Sequence, residues 1–464
     1  MKQPTQQGEN ARTLAAALGL DEERAAQLLE QPIQVTHDEG SARATLIAKH
    51  AIAMLRRTFR HVGSVQASLD GAMVELRVGR CESRSSSARQ VWLGLQGGVI
   101  VVANGRISHN DDRHVHELFL LIAACYAAAR TVQQAVGSGL PFGNDHPIVI
   151  DPAVLGEDID LQKTIELGTA VLAGAGAVGN AVIYALALLP VRGVLYVVDP
   201  KSVNDGILNR CMLFESEDVG DPKAVALCRN AAPRLSLLEL IARHADVATA
   251  VRELGNQFRP ERMIVSVDSR RARRSLQKEL PREVYDASTT GIAEVVLHFN
   301  TQPSTLACLA CIYKQESREI AHEAHVAELL GVSTADVRSG YVTDVSARFI
   351  CQKYSQLHPS AIKGLAYDSL FKALCAEGEL KTPEDRQVLA PFAFVSALAG
   401  ALLVLEMAIR LGGASSNRFN YWRVSPWYAP GLDLRQLRPA LPDCEVCKNP
   451  SIVRAARLLW PRAA

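Results

Sequence analysis

The sequence lacks the features that mark several large classes of protein. Its 464 residues contain 50 lysines and arginines against 49 aspartates and glutamates, so no overall field favours nucleic acid or an acidic membrane. The polar N-terminus has no apolar run of the kind found in signal peptides. The longest apolar stretch, residues 390–411, is interrupted by Glu406 and Arg410, and we expect a buried helix there rather than a membrane span of about 20 apolar residues. A cytoplasmic protein is expected.

The ten cysteines also lack the spacing of a disulfide framework. Six of them follow no regular pattern: Cys81, Cys125, Cys211, Cys228, Cys351 and Cys375. The other four form two Cys-x-x-Cys pairs, Cys308 with Cys311 and Cys444 with Cys447. In a reducing compartment such pairs indicate metal or redox chemistry more often than disulfides. They can supply four thiolates to one tetrahedral Zn²⁺, although their long separation leaves redox dithiols or unrelated cysteines as alternatives.

The first 150 residues are expected to form a small α/β domain. Short polar helices and loops are predicted over 1–40, followed by longer helices and several strands. The longer elements are a helix over 42–61, strands within 74–78 and 91–102, and a helix over 114–136. We find no chemical motif in this domain, and no internal repeat in the chain.

Residues 151–464 are expected to form a larger domain with a different pattern. Buried-type strands alternate with helices between residues 169 and 300, which predicts an α/β fold with a doubly wound, mostly parallel, Rossmann-like sheet. Predicted strands lie at 169–172, 193–198 and 263–267, and predicted helices at 177–189, 222–229 and 270–280. Residues 312–389 are more polar and mostly helical, and we expect a helical crossover insertion there. The apolar helix 391–411 and a strand at 420–424 follow.

A glycine-rich turn follows the first strand of this larger domain. Gly174, Gly176 and Gly179 match the G-x-G-x-x-G pattern where a strand ends and a helix begins. The glycines let the backbone approach a phosphate, and the helix N-terminus offers unpaired N–H groups. Asp199, 20 residues after Gly179, ends the next strand, where a carboxylate can bind ribose hydroxyls. The pattern predicts a nucleotide site, but a dehydrogenase would share it.

The residues after Asp199 resemble the ThiF/MoeB and ubiquitin-activating (E1-like) superfamily. Residues 208–210 read Leu-Asn-Arg, residues 219–223 read Val-Gly-Asp-Pro-Lys, and residues 268–273 read Asp-Ser-Arg-Arg-Ala-Arg. These segments follow the order of the superfamily's Leu-Asn-Arg, Val-Gly-x-x-Lys and Asp-Asn-x-x-x-Arg elements. The resemblance covers about residues 165–311 and 390–447.

The resemblance implies an enzyme that joins a carboxylate to the α-phosphorus of ATP and releases pyrophosphate. Fixed cations and Mg²⁺ are the main tools for such chemistry. Arg210 and Lys223 are the implied phosphate contacts, Asp268 the implied Mg²⁺ ligand, and Asp199 the implied ribose ligand, with Asn209 beside them. Taken singly, the two cations could be surface charges and Asp268 a helix cap. Together and in this order, they favour the enzyme.

Two positions depart from the superfamily pattern. Gly206-Ile207 stands where the superfamily usually has Ser-Asn, so its catalytic asparagine is missing and Asn209 or Asn204 would have to compensate. Ser269 stands where the superfamily has asparagine. Many members also use an arginine from a partner subunit, and no residue of 1–165 can be assigned that role from the sequence.

The resemblance also bears on the cysteines. In the superfamily the first Cys-x-x-Cys pair follows the sheet and the second closes the domain, so Cys308, Cys311, Cys444 and Cys447 are expected to hold one structural Zn²⁺. Relatives that form a thioester carry its cysteine in the crossover segment. Cys375 is the preferred candidate because it ends a predicted helix before a loop with Gly378, Thr382 and Pro383. Cys351 is the alternative, although the middle of an amphipathic helix more often holds a structural cysteine.

The expected function is ATP-dependent activation of the C-terminal glycine of a ubiquitin-like (β-grasp) protein, followed by a thioester on Cys375 and transfer to a conjugating enzyme. A homodimer is expected. The alternatives are a sulfur-carrier adenylyltransferase for thiamine or molybdopterin pathways, an enzyme that adenylates a ribosomal peptide or a tRNA-linked carboxylate, and an inactive binding scaffold. An NAD-dependent dehydrogenase is disfavoured by the elements after Asp199, and the near-neutral charge disfavours tRNA. Residues 1–150 could be a degenerate adenylation-like half or a docking domain.

Overall fold

A computed structural model of the chain describes residues 5–85, 88–107, 115–137, 139–156, 159–255, 258–315, 317–376, 389–413 and 419–461. The first sheet contains six strands: β1 (Ile33–His37), β2 (Val62–Gly63), β3 (Val74–Val78), β4 (Arg89–Gln96), β5 (Val99–Ala103) and β6 (Ile148–Ile150). Their order across the sheet is β2-β1-β3-β4-β5-β6. The four strands β2, β1, β3 and β4 run parallel, and β5 and β6 are each antiparallel to their neighbours.

Five helices accompany this sheet: α1 (Gln6–Leu18), α2 (Glu22–Leu29), α3 (Ala42–Thr58), α4 (Glu117–Val136) and α5 (Pro152–Gly156). Local sequence explains where they begin and end. Ser41 starts α3 because its side chain accepts the free N–H of Ala44. Gly19 ends α1 in the left-handed conformation, with φ of 67°, which glycine adopts without strain.

The second sheet contains eight strands: β7 (Ile165–Ala173), β8 (Val191–Val198), β9 (Leu238–Arg243), β10 (Arg262–Val265), β11 (Glu283–Thr290), β12 (Glu294–Thr301), β13 (Tyr421–Val424) and β14 (Arg435–Gln436). Their order is β14-β13-β12-β11-β10-β7-β8-β9. The five strands from β9 to β11 run parallel and the other three are antiparallel. The structure thus confirms the predicted α/β fold with a mostly parallel, doubly wound sheet.

Within the described residues, twelve α-helices follow β7: α6 (Ala177–Leu186), α7 (Lys223–Ala231), α8 (Val247–Glu253), α9 (Arg270–Gln277), α10 (Leu309–Ile312), α11 (Ser317–Leu330), α12 (Thr334–Ser339), α13 (Asp344–Lys353), α14 (Pro359–Ile362), α15 (Tyr367–Ala376), α16 (Ala393–Leu411) and α17 (Pro450–Leu459). Helices α11 to α15 bury an apolar core of their own, separate from the core between the sheets. They form the crossover segment, which is helical as its sequence predicted.

The two sheets follow the same path through space. In each, the first strand leads through a helix to a parallel neighbour, and the chain then crosses to the other side of that first strand, after adding the extra strand β9 in the second sheet. Strands β1, β2, β3, β4, β5 and β6 correspond in this way to β7, β8, β10, β11, β12 and β13, with the same parallel or antiparallel pairing. Helices α3 and α4 hold the places of α6 and α16. The sequence gives no sign of this repeated topology.

The corresponding helices of the two halves pack against each other. Helix α16 of the second half packs against α4 and α3 of the first. Within the second half, Gly400 of α16 lies so close to α6 that a Cβ there would be 2.5 Å from the Ala181 carbonyl carbon. His50 of α3 contacts Tyr184 of α6, with 2.7 Å between Nδ1 and the hydroxyl oxygen, and burial lowers the pKa of His50 to about 4. The neutral imidazole that results suits this apolar interface.

Helices α4 and α16 are long and apolar enough to cross a membrane by length and composition alone. In α4 83% of the apolar window is buried within the protein, and in α16 89%. Burial between the sheets therefore accounts for their composition, and it confirms the expected buried helix at 390–411.

One region differs clearly from its prediction. Residues 1–40 were expected to contain only helices and loops, but β1 lies within them and pairs with both β2 and β3. Its five residues are all buried, including Gln34, Thr36 and His37. Polar residues on a strand that is covered on both faces hide the apolar pattern by which strands are recognised.

Candidate functional site

The glycine turn is tightly packed at Gly179 and has free space beside Gly176. Gly174 directly follows β7 and has a φ of 100°, a conformation that residues with a Cβ rarely adopt. A Cβ on Gly179 would lie 2.0 Å from the Gly174 carbonyl oxygen, whereas a Cβ on Gly176 would meet nothing within 4 Å. Gly176 also begins α6 without a side-chain hydrogen bond to the first-turn N–H groups. The first turn of α6 therefore has N–H groups that suit a phosphate.

Two substitutions test this packing. We expect Gly179→Ala to lower the free energy of unfolding by about 1–3 kcal/mol, because the backbone at Gly174 must move to admit the methyl group. We expect Gly176→Ala, the matched control in the same turn, to leave stability within about 0.5 kcal/mol of the unmodified protein. Denaturant unfolding measures both, and equal effects would show that the close approach at Gly179 does not matter.

Asp199 fastens the turn to the end of β8. Its Oδ2 accepts the Ala175 N–H and its Oδ1 accepts the Lys201 N–H, both at 2.8 Å, and the side chain is buried. A carboxylate oxygen accepts more than one hydrogen bond, so both oxygens retain capacity for ribose hydroxyls.

Three cations gather on the side of the turn where Asp199 lies. Lys223 begins α7 and is buried, and this burial lowers its pKa, although Asp199 opposes the shift. Lys201 and Arg210 also lower the pKa of Lys223 by repulsion. The cluster is therefore a region of concentrated positive charge that suits phosphate oxygens. Lys201 was not predicted, although its position two residues after Asp199 could have indicated it.

Asp268 follows β10, the strand next to β7. Its Oδ2 lies 3.6 Å from Nζ of Lys201, and its side chain is largely exposed. The carboxylate therefore reaches the same edge of the sheet as the glycine turn, and its role as a Mg²⁺ ligand stays a prediction. An exposed carboxylate there is compatible with a Mg²⁺ ligand.

Asn204 and Asn209, which lie near the Gly206-Ile207 departure from the superfamily pattern, both already have hydrogen-bond partners. Asn204 caps the 3₁₀ turn at Asp205–Ile207, accepting the Ile207 N–H at 3.2 Å. Asn209 is fully buried, and its Oδ1 accepts NH1 of Arg210 at 2.7 Å. Asn209 can thus serve the site only through Arg210, and Asn204 is already used by the backbone.

The N-terminal half reaches this site, which the sequence did not reveal. The Gln6 N–H at the start of α1 donates to Asp205 at 3.0 Å. Arg57, near the end of α3, donates to the carbonyl oxygens of Cys211 and Phe214 at 2.8 and 2.9 Å. The chain on both sides of Arg210 is therefore held by elements that lie about 150–200 residues earlier.

The crossover segment is fastened next to Asp268. Ser269 caps α9 and donates to Asp368 of α15 at 2.7 Å. Arg271 is buried between Asp368 and Glu323, at 3.4 and 3.3 Å, and donates to the Val337 carbonyl oxygen. A buried charge that lost these partners would be strongly unfavourable, so this network fixes the crossover segment against the second sheet.

The four paired cysteines meet in one cluster, with all sulfurs within 4.8 Å of one another. The Cys308 sulfur lies 3.9 Å from that of Cys311 and 3.7 Å from that of Cys444, and those of Cys311 and Cys447 are 3.8 Å apart. Four thiolates at about 2.3 Å from Zn²⁺ stand about 3.8 Å apart in a tetrahedron. The geometry therefore fits a structural zinc with no open position for substrate.

The two thioester candidates occupy different positions. Cys351 lies within α13, as predicted, and packs against the crossover core; its partial burial raises its pKa. Cys375 lies in the last turn of α15, but its side chain is outside the described part of the chain. The predicted loop with Gly378, Thr382 and Pro383 is outside it as well.

Together these features define a class: an α/β protein with a glycine turn that suits a phosphate, a cluster of cations and a four-cysteine cluster that fits a metal ion. Residues 152–446, well over half of the chain, match the ThiF family, and residues 2–157 match the E1 N-terminal domain. The chain therefore belongs to the ThiF family, within the E1-like superfamily, as its sequence elements predicted.

Individual relatives are more distant. The uncharacterized protein y4jF of Sinorhizobium fredii (strain NBRC 101917 / NGR234) is 26% identical over 328 residues, which is 65% of this chain. The match spans 62% of the length of y4jF. Escherichia coli MccB with ATP is 16% identical, with a TM-score of 0.38 over 70% of this chain and 74% of MccB. PaaA is 13% identical, with a TM-score of 0.35 over 59% of this chain and 73% of PaaA.

Proposed function

We propose that this protein is an ATP-dependent activating enzyme that adenylates the C-terminal glycine carboxylate of a ubiquitin-like protein. One observation carries the proposal: Lys201, Arg210 and Lys223 gather beside Asp199 at the glycine turn, and Lys201 also meets Asp268. Such a set can bind a nucleotide and stabilise charge that develops on its phosphates. Membership of the ThiF family supports the adenylation step.

The chemistry needs a cationic, preorganised site. A carboxylate oxygen of the protein substrate attacks the α-phosphorus of ATP, a new C–O–P linkage forms, and the bond to the β-phosphate oxygen breaks so that pyrophosphate leaves. Arg210 and Lys223 would stabilise the charge on the phosphate oxygens, while Asp199 would orient the ribose. Mg²⁺, when bound, would neutralise phosphate charge, with Asp268 as its proposed ligand.

A thioester step would follow. The thiolate of Cys375, after losing its proton to solvent, would attack the acyl carbon, and the bond to the AMP oxygen would break. The acyl group would then pass to the thiol of a conjugating enzyme. The place of Cys375 at the end of α15 supports this choice over Cys351, which packs into the crossover core.

We expect Cys375→Ala to keep ATP–pyrophosphate exchange within about twofold of the unmodified protein but to form no thiol-sensitive adduct with the protein substrate. The adduct is measured on a non-reducing gel with and without added thiol. Cys351→Ala is the matched control and should form the adduct normally. An adduct that persists in Cys375→Ala and disappears in Cys351→Ala would move the thioester to Cys351.

The function itself is tested by ATP–pyrophosphate exchange with candidate small proteins added one at a time. Exchange with a reducible adduct supports the proposal. Exchange without an adduct would favour the sulfur-carrier adenylyltransferase, and exchange with a short peptide or a tRNA-linked carboxylate would favour that substrate class instead. Absence of exchange with every candidate would favour the binding scaffold, for which the missing asparagine at Ile207 is the best support.

We also propose that residues 1–150 are a degenerate adenylation-like half rather than a docking domain. The shared topology of the two sheets and the match to the E1 N-terminal domain support this. Helices α3 and α4 already pack against α6 and α16 of the same chain, so their packed surface is covered. A homodimer would therefore use another face of the protein. Light scattering on the purified protein tests the predicted homodimer, and fractionation of cells tests the predicted cytoplasmic location.

A further inference from the structure

Asn10 lies at the point where the N-terminal half meets the candidate site. It belongs to α1, is almost fully buried, and donates through Nδ2 to the carbonyl oxygens of Arg57 and Thr58, at 2.6 and 3.4 Å. These are the last residues of α3, where carbonyl groups lack partners within the helix and carry the negative end of its dipole. The contacts fix which side of the Asn10 amide is its NH₂ group.

The orientation of Asn10 fixes that of Asn209. Because Nδ2 of Asn10 faces α3, its Oδ1 faces Asn209 and accepts Nδ2 of that residue at 2.9 Å. The Oδ1 of Asn209 is then left to accept NH1 of Arg210 at 2.7 Å. Turning either amide over would set oxygen against oxygen and nitrogen against nitrogen, so the order of donors and acceptors runs in one direction from α3 to Arg210.

The other contacts of Arg210 are weaker or come from the backbone. NH1 donates to the Gly206 carbonyl oxygen at 3.0 Å, and Glu9 of α1 lies 3.9 Å away. Glu9 also accepts NH1 of Arg12 at 2.9 Å, so its charge is shared. Within the described part of the chain, Asn209 at 2.7 Å is thus a closer side-chain partner of Arg210 than Glu9.

We propose that Asn10 is a positioning residue that acts through Asn209 to orient the Arg210 guanidinium for the phosphates of ATP. The inference deepens the proposed function and rests on it, since it gives the N-terminal half a defined part in the same site. Asn10 itself contacts no substrate in this arrangement.

The test compares Asn10→Ala and Asn10→Ser with Thr13→Val. Serine keeps a hydroxyl in the buried space but is too short to reach either the α3 carbonyls or Asn209. Two different side chains that lose the same hydrogen bonds, compared at their measured Tm, separate loss of those bonds from simple misfolding. Thr13 is the matched control: it is buried on the same helix and donates across to the Ala390 carbonyl oxygen at 2.8 Å, away from Arg210. The readouts are kcat/KM for ATP in pyrophosphate exchange, the Kd of a non-hydrolysable ATP analogue, and the Tm.

Both Asn10 variants should lower kcat/KM and weaken analogue binding about tenfold, because a misplaced guanidinium loses phosphate contact. Thr13→Val should change neither by more than about twofold, whatever its effect on Tm. In an Arg210→Ala background, analogue binding should respond to Asn10→Ala by less than about twofold, because the group to be oriented is gone.

Two results would overturn the inference. Asn10 variants that behave like Thr13→Val, or an undiminished effect of Asn10→Ala in the Arg210→Ala background, would remove the positioning role while leaving the proposed function intact. An unmodified protein that neither exchanges pyrophosphate nor binds the analogue would instead overturn the proposed function, and the positioning role with it.

Discussion

Replacement of Lys223 by methionine should lower kcat/KM for ATP in pyrophosphate exchange by about 100- to 1,000-fold while leaving the fold at least as stable. The loss follows from removing a fixed cation from a site where phosphate charge develops. Stability should be maintained or should rise, because Lys223 is buried with its charge and methionine fills a similar volume without that cost.

The measurement pairs exchange kinetics with thermal unfolding. Arg210→Ala should cause a similar loss of exchange. Lys278→Ala is the matched control, since that lysine lies on the surface and pairs with Glu445 at 3.6 Å, away from the glycine turn. Full exchange in Lys223→Met or Arg210→Ala would remove these residues from the proposed site.

The pH dependence of ATP–pyrophosphate exchange provides a second test of the role of Lys223. Burial lowers the pKa of this lysine from its ordinary value of 10.5, so the protein without nucleotide should lose the charged form at a lower pH than an exposed lysine would. Since kcat/KM reports the groups of the free enzyme, it should fall on the alkaline side below pH 10.5. An alkaline limb at or above pH 10.5 would contradict the assignment.

Removal of zinc should have the largest effect on stability. We expect one zinc per chain, and we expect Cys444→Ser to lose it and to lower the free energy of unfolding by several kcal/mol, on the order of 10 °C in Tm. The site joins residues separated by 136 positions and brings the start of α17 into one apolar cluster with α10. Without metal, four packed thiols cannot replace the bonds that hold these segments together.

Elemental analysis and thermal unfolding, each on protein purified without added chelator, check this expectation. Cys228→Ser is the matched control, because Cys228 lies on α7 and outside the cluster. Its zinc content should be unchanged. Protein that contains no zinc, or a Cys444→Ser variant that keeps a full equivalent, would contradict a structural zinc site.

The local features of the candidate site could be predicted from the sequence. The glycines at 174, 176 and 179 occur at the strand-to-helix turn they predicted, and the paired cysteines come together in one cluster. Asp199 follows β8 and Asp268 follows β10, the two parallel strands on either side of β7, so both lie at one edge of the sheet. In each case the candidate residue is fixed by neighbours close in the chain or by the strand it follows.

Contacts between residues far apart in the chain could not be predicted from the sequence. Asn10, Arg57 and Lys201 carry no motif, and strand β1 is hidden because Gln34, Thr36 and His37 lie buried on it. The missing asparagine at Ile207 looked like a gap in the site. The nearby Asn209 is buried and pairs with Asn10, which lies 199 residues earlier in the chain.

The sequence by itself determined which local features the candidate site contains, because glycine turns, charged strand ends and Cys-x-x-Cys pairs act through local geometry and side-chain type. Only the tertiary structure decided how the two halves share one topology and how the first half supports the site in the second. Those features arise from packing α3 and α4 against α6 and α16, and from hydrogen bonds between residues that the chain places far apart. Such contacts depend on shape and orientation, which a linear pattern of residues does not record.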